Sequence, residues 1–339
     1  MSKAAIIKEY LNRFKDIGKL TLAKKLNQDH PTVFTSVQAT RNQIQEITGA
    51  AGKKSLKSKE YARPKGYAGQ PIKLPTSREE VWTPVKIRGA DNLLVLSDIH
   101  LPFHSKRALE ASLRYGLDNG VNGIVLNGDS IDFPLLSKFN KDPRTRKTKK
   151  DIQDLANFMN TLNELFPGVP KWFKEGNHEE RWTIYIWNNA PILWDFDHLR
   201  LDSALALAMD SKKRTLDIRE FGWTYVDEGR PIMAGNLPIL HGHELPKGLT
   251  NPVNMARGAY LRTSHTVMVG HGHRTSTHPE PDMFKNEVIC WSTGCLCGLS
   301  PKWQRVNKWN HGFAHILLSG NKFDVNNLRI SSKGSIRSS

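Results

Sequence analysis

Two patterns of apolar positions divide the chain. Over the first 50 residues apolar side chains recur at helical spacing, as in Ile6, Ile7, Tyr10, Leu11 and Phe14. Gly18 breaks that first helix. Residues 20–26 predict a second helix, 27–31 a turn, and 36–47 a third helix that carries Arg41 and stops at Gly49. From about residue 90, short apolar runs alternate with amphipathic stretches, the pattern of an α/β (α+β) domain. Runs at 93–96, 123–127 and 172–175 predict buried strands. Helices are expected at 105–117, where Leu109, Leu113 and Leu117 share a face, and over 152–166. Residues 191–220, with Trp194, Phe196 and an Ala/Leu run, predict an inserted helical cap. Two or three strands are expected up to His241, then a helix at 253–262 and strands at 265–270, 287–292 and 313–318. No internal repeat is visible.

This gives four segments. Residues 1–50 form a small helical N-terminal segment whose layout is that of a helix-turn-helix unit; a packing or dimerising arm is the alternative. Residues 51–89 read as a basic flexible linker, with Lys53, Lys54, Lys57 and Lys59 among Ser and Gly and then Pro64 and Pro71. Residues 90–325 carry the candidate chemistry. Residues 326–339 read as a tail, its Ser-rich end at 331–339 expected to be disordered.

Composition adds a partner and removes some settings. Hydrophobic residues make up 38% of the chain, which suits a packed core. No apolar run reaches the roughly 20 residues of a membrane span, and the N-terminus lacks the pattern of a secretory signal. The expected location is cytoplasmic, with no membrane partner. Cys290, Cys295 and Cys297 are odd in number and lack paired zinc spacing, so they are expected as buried thiols. The net charge is +16, and residues 1–90 hold 18 Lys and Arg against 7 Asp and Glu. A basic first third suits an anionic partner, nucleic acid before others. The oligomeric state leaves no trace in the sequence.

Five strand ends carry ligand-type residues. They are Asp98-Ile99-His100, Gly128-Asp129-Ser130-Ile131-Asp132, Gly176-Asn177-His178-Glu179, His241-Gly242-His243 and Gly270-His271-Gly272-His273. Strand residues two apart point to one side, so Asp98 and His100 leave their strand together. Asp98, Asp129, His100, His241, His271 and His273 offer hard oxygen and imidazole nitrogen, and Asn177 an amide oxygen. This mixture suits Mn²⁺, Fe or Zn²⁺ and suits Ca²⁺ poorly. Seven ligands exceed one tetrahedral ion and fit two ions sharing a carboxylate, as in two-metal hydrolases. His178 adjoins Asn177 but points elsewhere, where it can protonate a leaving alkoxide.

The five motifs, in this order, resemble the calcineurin-like metallophosphoesterase superfamily, over roughly residues 90–320. The resemblance implies a two-sheet β-sandwich flanked by helices, with the site on loops at one end. It implies that Asp98, His100, Asp129 and His273 bind one metal and Asp129, Asn177, His241 and His271 the other. His178 would be the acid or the transition-state stabiliser. In the fourth motif either His241 or His243 can serve, and His241 is preferred because it ends the strand. Asp132 and Glu179 are expected to orient loops or histidines. His104, Arg181 and His243 are candidate substrate contacts; His278, His311 and His315 are expected to be structural. The layout also resembles phosphoesterases encoded by bacteriophages.

One departure bears on substrate. Protein serine/threonine phosphatases of this superfamily carry Asp-Arg-Gly after the second motif, and here the run is Asp132-Phe133-Pro134. The favoured reading is a phosphodiesterase or nuclease that uses two divalent ions, Mn²⁺ first, to cut nucleic acid. The basic first third and the run at 144–150 motivate it. The alternatives are a phosphatase of small molecules or nucleotides, a protein phosphatase, and a non-catalytic binding protein on the same fold.

Overall fold

The computed structural model describes residues 1–49, 74–138, 147–212, 214–227, 229–246 and 253–338. Most of the expected linker, and residues 144–146 of the basic run, lie outside the described residues. The chain divides into two compact units, Met1–Glu79 and Glu80–Ser339.

Among the described residues the first unit holds three helices, α1 (Lys3–Arg13), α2 (Lys19–Asp29) and α3 (Val37–Ile47). Ser2 and Ser36 cap α1 and α3 by accepting from the amides of Ala5 and Ala39. The predicted apolar face is buried: Ile6, Ile7, Tyr10, Leu22, Ala23, Leu26, Phe34 and Ile44 form one core. The connection between α2 and α3 runs from His30 to Ser36. That is longer than the turn of about 3–4 residues in a helix-turn-helix unit.

Among the described residues, the second unit is built on thirteen strands. In chain order it contains β1 (Val85–Lys86), β2 (Asn92–Leu96), α4 (Lys106–Asp118), β3 (Gly123–Asn127), α5 (Thr148–Leu165), β4 (Lys171–Lys174), α6 (Glu180–Asn189), α7 (Leu201–Met209), β5 (Trp223–Val226), β6 (Ile232–Ala234), β7 (Leu237–Leu240), α8 (Met255–Thr263), β8 (Val267–Val269), β9 (Ser276–Pro281), β10 (Glu287–Ser292), β11 (His311–Ser319), β12 (Lys322–Ile330) and β13 (Ile336–Ser338). They form a six-stranded sheet, β1-β6-β7-β8-β10-β9, and a seven-stranded sheet, β13-β12-β11-β2-β3-β4-β5. The two sheets pack through their inner faces: Leu93, Val95, Val125, Trp172 and Ile316 meet Ile232, Leu237, Ile239, Met268 and Trp291. On the outer face of the larger sheet, Leu94, Leu96, Ile124, Leu126 and Phe173 pack under α4, α5 and α7. On the smaller sheet, Val267, Val269 and Cys290 pack under Ala256 and Ala259 of α8. Strands covered on both faces read as unbroken apolar runs, which is why β2 and β3 stand out in the sequence.

Three expectations are corrected. Residues 85–86 are not linker; they pair with Ile232 and Met233 as an edge strand too short to leave a pattern. Residues 326–338 are not a tail: β12 pairs with β11 along its length and β13 with β12. Their solvent-facing side is polar, which hid the alternation. Residues 191–220 are not an appended cap; α7 buries Leu201, Leu205, Ala206 and Met209 in the main core beside α5.

Candidate metal centre

The sheet topology gathers the five motifs. β2, β3 and β4 are parallel neighbours, so the loops that follow them leave at one edge. β7 and β8 are parallel neighbours in the other sheet and deliver the fourth and fifth loops. One sheet thus contributes Asp98, His100, Asp129 and Asn177, and the other His241, His271 and His273.

The backbone there is strained. Asp98, His100, Asp129, His271 and His273 all have φ between 50 and 59°, in the left-handed region. Such residues cost on the order of 1–3 kcal/mol each and persist only where surrounding contacts dictate them. Glu179 supplies several of those contacts: its carboxylate accepts from the amides of Gly176 (2.8 Å), Asp129 (2.9 Å), Ser130 (2.7 Å) and Ile131 (3.2 Å). It orients the second and third loops, as expected. Two glycines permit the close approach. A Cβ on Gly128 would strike the His241 ring, and one on Gly176 would strike Asp129.

Outer partners fix the imidazoles. His100 Nδ1 lies 3.0 Å from Asp132 Oδ1, and His241 Nδ1 lies 2.8 Å from the Asn127 carbonyl. Each Nδ1–H donates outward, which leaves the Nε2 lone pair facing the centre. There His241 Nε2 is 3.2 Å from Asp129 Oδ2, His273 Nε2 is 3.0 Å from Asp98 Oδ1, and the Nε2 atoms of His100 and His273 are 3.2 Å apart. Asp98 Oδ1, Asn177 Oδ1 and His241 Nε2 are buried and have no hydrogen-bond partner among the described residues. An unsatisfied buried polar atom costs about 1–3 kcal/mol, so each of the three calls for a partner. Carboxylate oxygens and imidazole nitrogens crowded this closely from separate loops are placed as metal ligands are.

The residues therefore fit divalent metal. Ligand atoms of Asp98, His100 and Asp129 lie within 4.8 Å of one another, as do those of Asp129, His241 and His271, and those of His100, His273 and Cys297. Asp129 belongs to two of these groups, the place of a bridging carboxylate. His271 is the exposed member of the set, at the mouth of the centre. Burial alone would raise the Asp129 carboxyl, but the imidazoles of His241, His178 and His100 overturn it and hold Asp129 well below its usual range. Burial likewise pulls His241 down, and the Asp129 carboxylate pushes it up to about 10. These are the charges a cation would replace.

His178 sits beside the ligands. Its amide donates to Asp129 Oδ1 (2.9 Å), its Nδ1 meets the Asp132 carbonyl (2.8 Å), and its Nε2 is 3.7 Å from Asp129 Oδ2. Burial lowers this imidazole, but Asp129 and Asp132 outweigh burial and raise it. Arg181 donates to the Asp132 carbonyl and to His178 Nε2, both at 2.8 Å. The remaining substrate candidates divide. His243 Nε2 is engaged by Glu180 Oε1 at 2.6 Å. His104 pairs through its backbone with Cys297, and its charged neighbours are Lys106 and Asp154.

Five strand-end loops meet at the C-terminal edges of two facing sheets. This is the two-sheet sandwich flanked by helices that the sequence resemblance implied. No family model matches the chain. Among curated proteins it is similar to the gene 54 protein of Mycobacterium phage L5, 26% identical over 239 residues, covering 67% of this chain and 89% of that one. It is also similar to the gene 54 protein of Mycobacterium phage D29, at 25% over 241 residues, with coverage of 68% and 89%. Among solved structures it is similar to vacuolar protein sorting 29 of Cryptosporidium parvum (TM-score 0.39, 14% identity, 74% of this chain and 96% of that one). Others are the E. coli phosphoesterase Yfce (0.32, 16%, 72% and 96%) and the Pseudomonas putida nuclease MPE (0.27, 13%, 68% and 85%). The two-sheet arrangement itself is read from the strand order and the converging loops.

Sequence reasoning missed the supports of this centre. Cys297, buried as expected, places Sγ 3.9 Å from His273 Nδ1, and the Trp309 ring lies 4.1 Å from the His273 ring. Glu244 accepts from the amides of His241 (3.1 Å) and Gly242 (2.6 Å) and pairs with the fully buried Lys174 at 2.8 Å. One signal could have found it: Glu244 follows His241 by three, as Glu179 follows Gly176. Breaking a buried ion pair costs about 3–5 kcal/mol. Glu244→Gln is therefore expected to lower stability by about that much at neutral pH, read as the urea midpoint. Burial raises the Glu244 carboxyl, but Lys174 and His243 outweigh it and bring it down to about 2 from an ordinary 4.5. The wild-type advantage is full above pH 4.5 and is lost as pH falls through about 2, so the two midpoints should converge in acid.

Proposed function

We propose that this protein is a phosphoesterase dependent on two divalent ions, Mn²⁺ first, and that it cleaves phosphodiesters of nucleic acid. The observation that carries the reading is the pair of ligand groups meeting at Asp129. Asp98, His100, Asp129 and His273 would hold one ion, and Asp129, Asn177, His241 and His271 the other. Ions held there would supply hydroxide near neutral pH and would neutralise charge on the phosphoryl oxygens.

The chain's own residues do the rest. Asp132 and the Asn127 carbonyl keep His100 and His241 in one tautomer each. His178 holds the proton that the leaving oxygen needs, and the carboxylates of Asp129 and Asp132 favour that protonated form. Arg181 occupies His178 Nε2 in this arrangement. Its transfer onto a substrate phosphate would release Nε2 to carry the proton. Phe133, where the protein phosphatases carry Arg, is buried and stacked on Trp182, so that position offers no cation to a phosphoprotein. The basic first third supports nucleic acid over a small substrate.

The test is hydrolysis by the full chain with Mn²⁺ or with chelator, comparing bis-p-nitrophenyl phosphate, p-nitrophenyl phosphate, and single- and double-stranded DNA. Mn²⁺-dependent turnover of the diester and of DNA is expected. Turnover of the monoester alone would make the protein a phosphatase of small molecules. No turnover of any ester, with metal bound, would leave a binding protein on this fold.

A further inference from the structure

The connection between β10 and β11 runs beside the centre and is rich in cations and indoles. Between Leu299 and Asn310 it carries Lys302, Trp303, Arg305, Lys308 and Trp309, and no acidic residue. It is an ordered loop. The Asn307 side chain donates to the carbonyls of Leu299 (2.7 Å) and Gln304 (2.8 Å), and the Asn310 amide donates to the His273 carbonyl (3.0 Å). The two tryptophans step outward from the ligands. Trp309 packs edge-on against His273 with ring centroids 4.1 Å apart, and Trp303 packs against Trp309 at 5.5 Å. Trp303 is 73% exposed. Lys302, Arg305 and Lys308 are also exposed, and none forms an ion pair among the described residues.

A large aromatic surface left in water is costly, and three unpaired cations around it would repel one another. Both features are relieved by one occupant. A nucleobase stacks on an exposed indole, and the phosphates on either side of it meet the cations. A base can reach Trp303 only from an unpaired strand, because paired bases are stacked on each other. We propose that the loop at 299–310 is a base-stacking platform that seats a single-stranded segment of nucleic acid next to the metal centre, with Trp303 holding a base. The assignment rests on the phosphodiesterase reading and narrows its substrate to unpaired strands or frayed ends. Stacking on Trp303 fixes the strand's register, and Trp309 transmits that position to the wall formed by His273.

The test separates the platform from the chemistry. Binding is measured by fluorescence anisotropy with the full chain, cleavage being stopped by chelator. The probes are a short oligothymidylate, an abasic strand of the same length and charge, and a duplex of that length. Oligothymidylate is expected to bind about tenfold more tightly than the abasic strand. Trp303→Ala should erase that difference, and Trp303→Phe should keep most of it. The abasic affinity should move less than about twofold across all three proteins. Equal binding of oligothymidylate and the abasic strand by the wild type overturns the proposal. So does a preference that survives in Trp303→Ala, or a duplex bound with the same dependence on Trp303. The phosphodiesterase reading fails on a different result, the absence of bis-p-nitrophenyl phosphate turnover by the wild type with Mn²⁺.

Discussion

An Asp129→Asn variant is expected to lose both metal and activity, the largest single effect in the molecule. Asp129 is shared by the ligand groups that contain Asp98 and His100 and that contain His241 and His271. Asparagine keeps the size of the side chain and an oxygen that can still accept from the His178 amide, so the loop it stabilises should survive. What it removes is the negative charge that faces three imidazoles. Loss of one preorganised charge-stabilising group in an active site costs on the order of 10²–10³ in turnover. A carboxylate serving two ions should sit at or beyond the upper end of that range. Metal content by elemental analysis and Mn²⁺-dependent diester hydrolysis read the two losses together. Full metal occupancy in Asp129→Asn would remove the shared-ligand assignment, whatever happened to the rate.

The second large effect belongs to His178. Replacing it with Ala should leave the metal in place, because its ring contacts Asp129 from the side at 3.7 Å and is oriented by Asp132 and Arg181. General acid catalysis contributes about 10²–10⁴-fold, so kcat on DNA should fall by that order. The fall should be much smaller for bis-p-nitrophenyl phosphate, whose leaving group departs as a stable anion and needs little protonation. The comparison of two leaving groups is the measurement. An equal loss on both would make His178 a positioning residue and not the acid.

How much of this was legible in the chain follows from what each residue does. Ligand candidates announce themselves twice, by residue type and by standing at the end of an apolar run; Asp98, Asp129, Asn177, His241 and His273 all do both. β2, β3 and β10 were readable because they are buried strands with turn residues at their ends. β9 was not, since Ser276–Pro281 includes two prolines at an edge. The supporting shell was opaque for another reason. Lys174 and Glu244, or Cys297 and His273, meet only once the loops have folded onto one another. Nothing local marks Lys174 as the partner of a carboxylate 70 positions on. His104 shows the converse. It lies four residues beyond His100, yet its backbone pairs with Cys297 and its charged neighbours are Lys106 and Asp154.

The ligand set straddles two sheets, and this ties the fold to its solvent. Neither sheet owns a full complement of donors, and Asp98 and His273 are 175 positions apart. No fragment that ends before the second sheet can bind an ion as the whole protein does. Whatever binds the native centre and not the unfolded chain adds to stability by mass action, about 1.4 kcal/mol for each tenfold rise of free ion above its dissociation constant. The strength of the joint between the sheets is then set partly by the free ion concentration around the molecule. Two buffers that differ only in trace metal would report two different proteins.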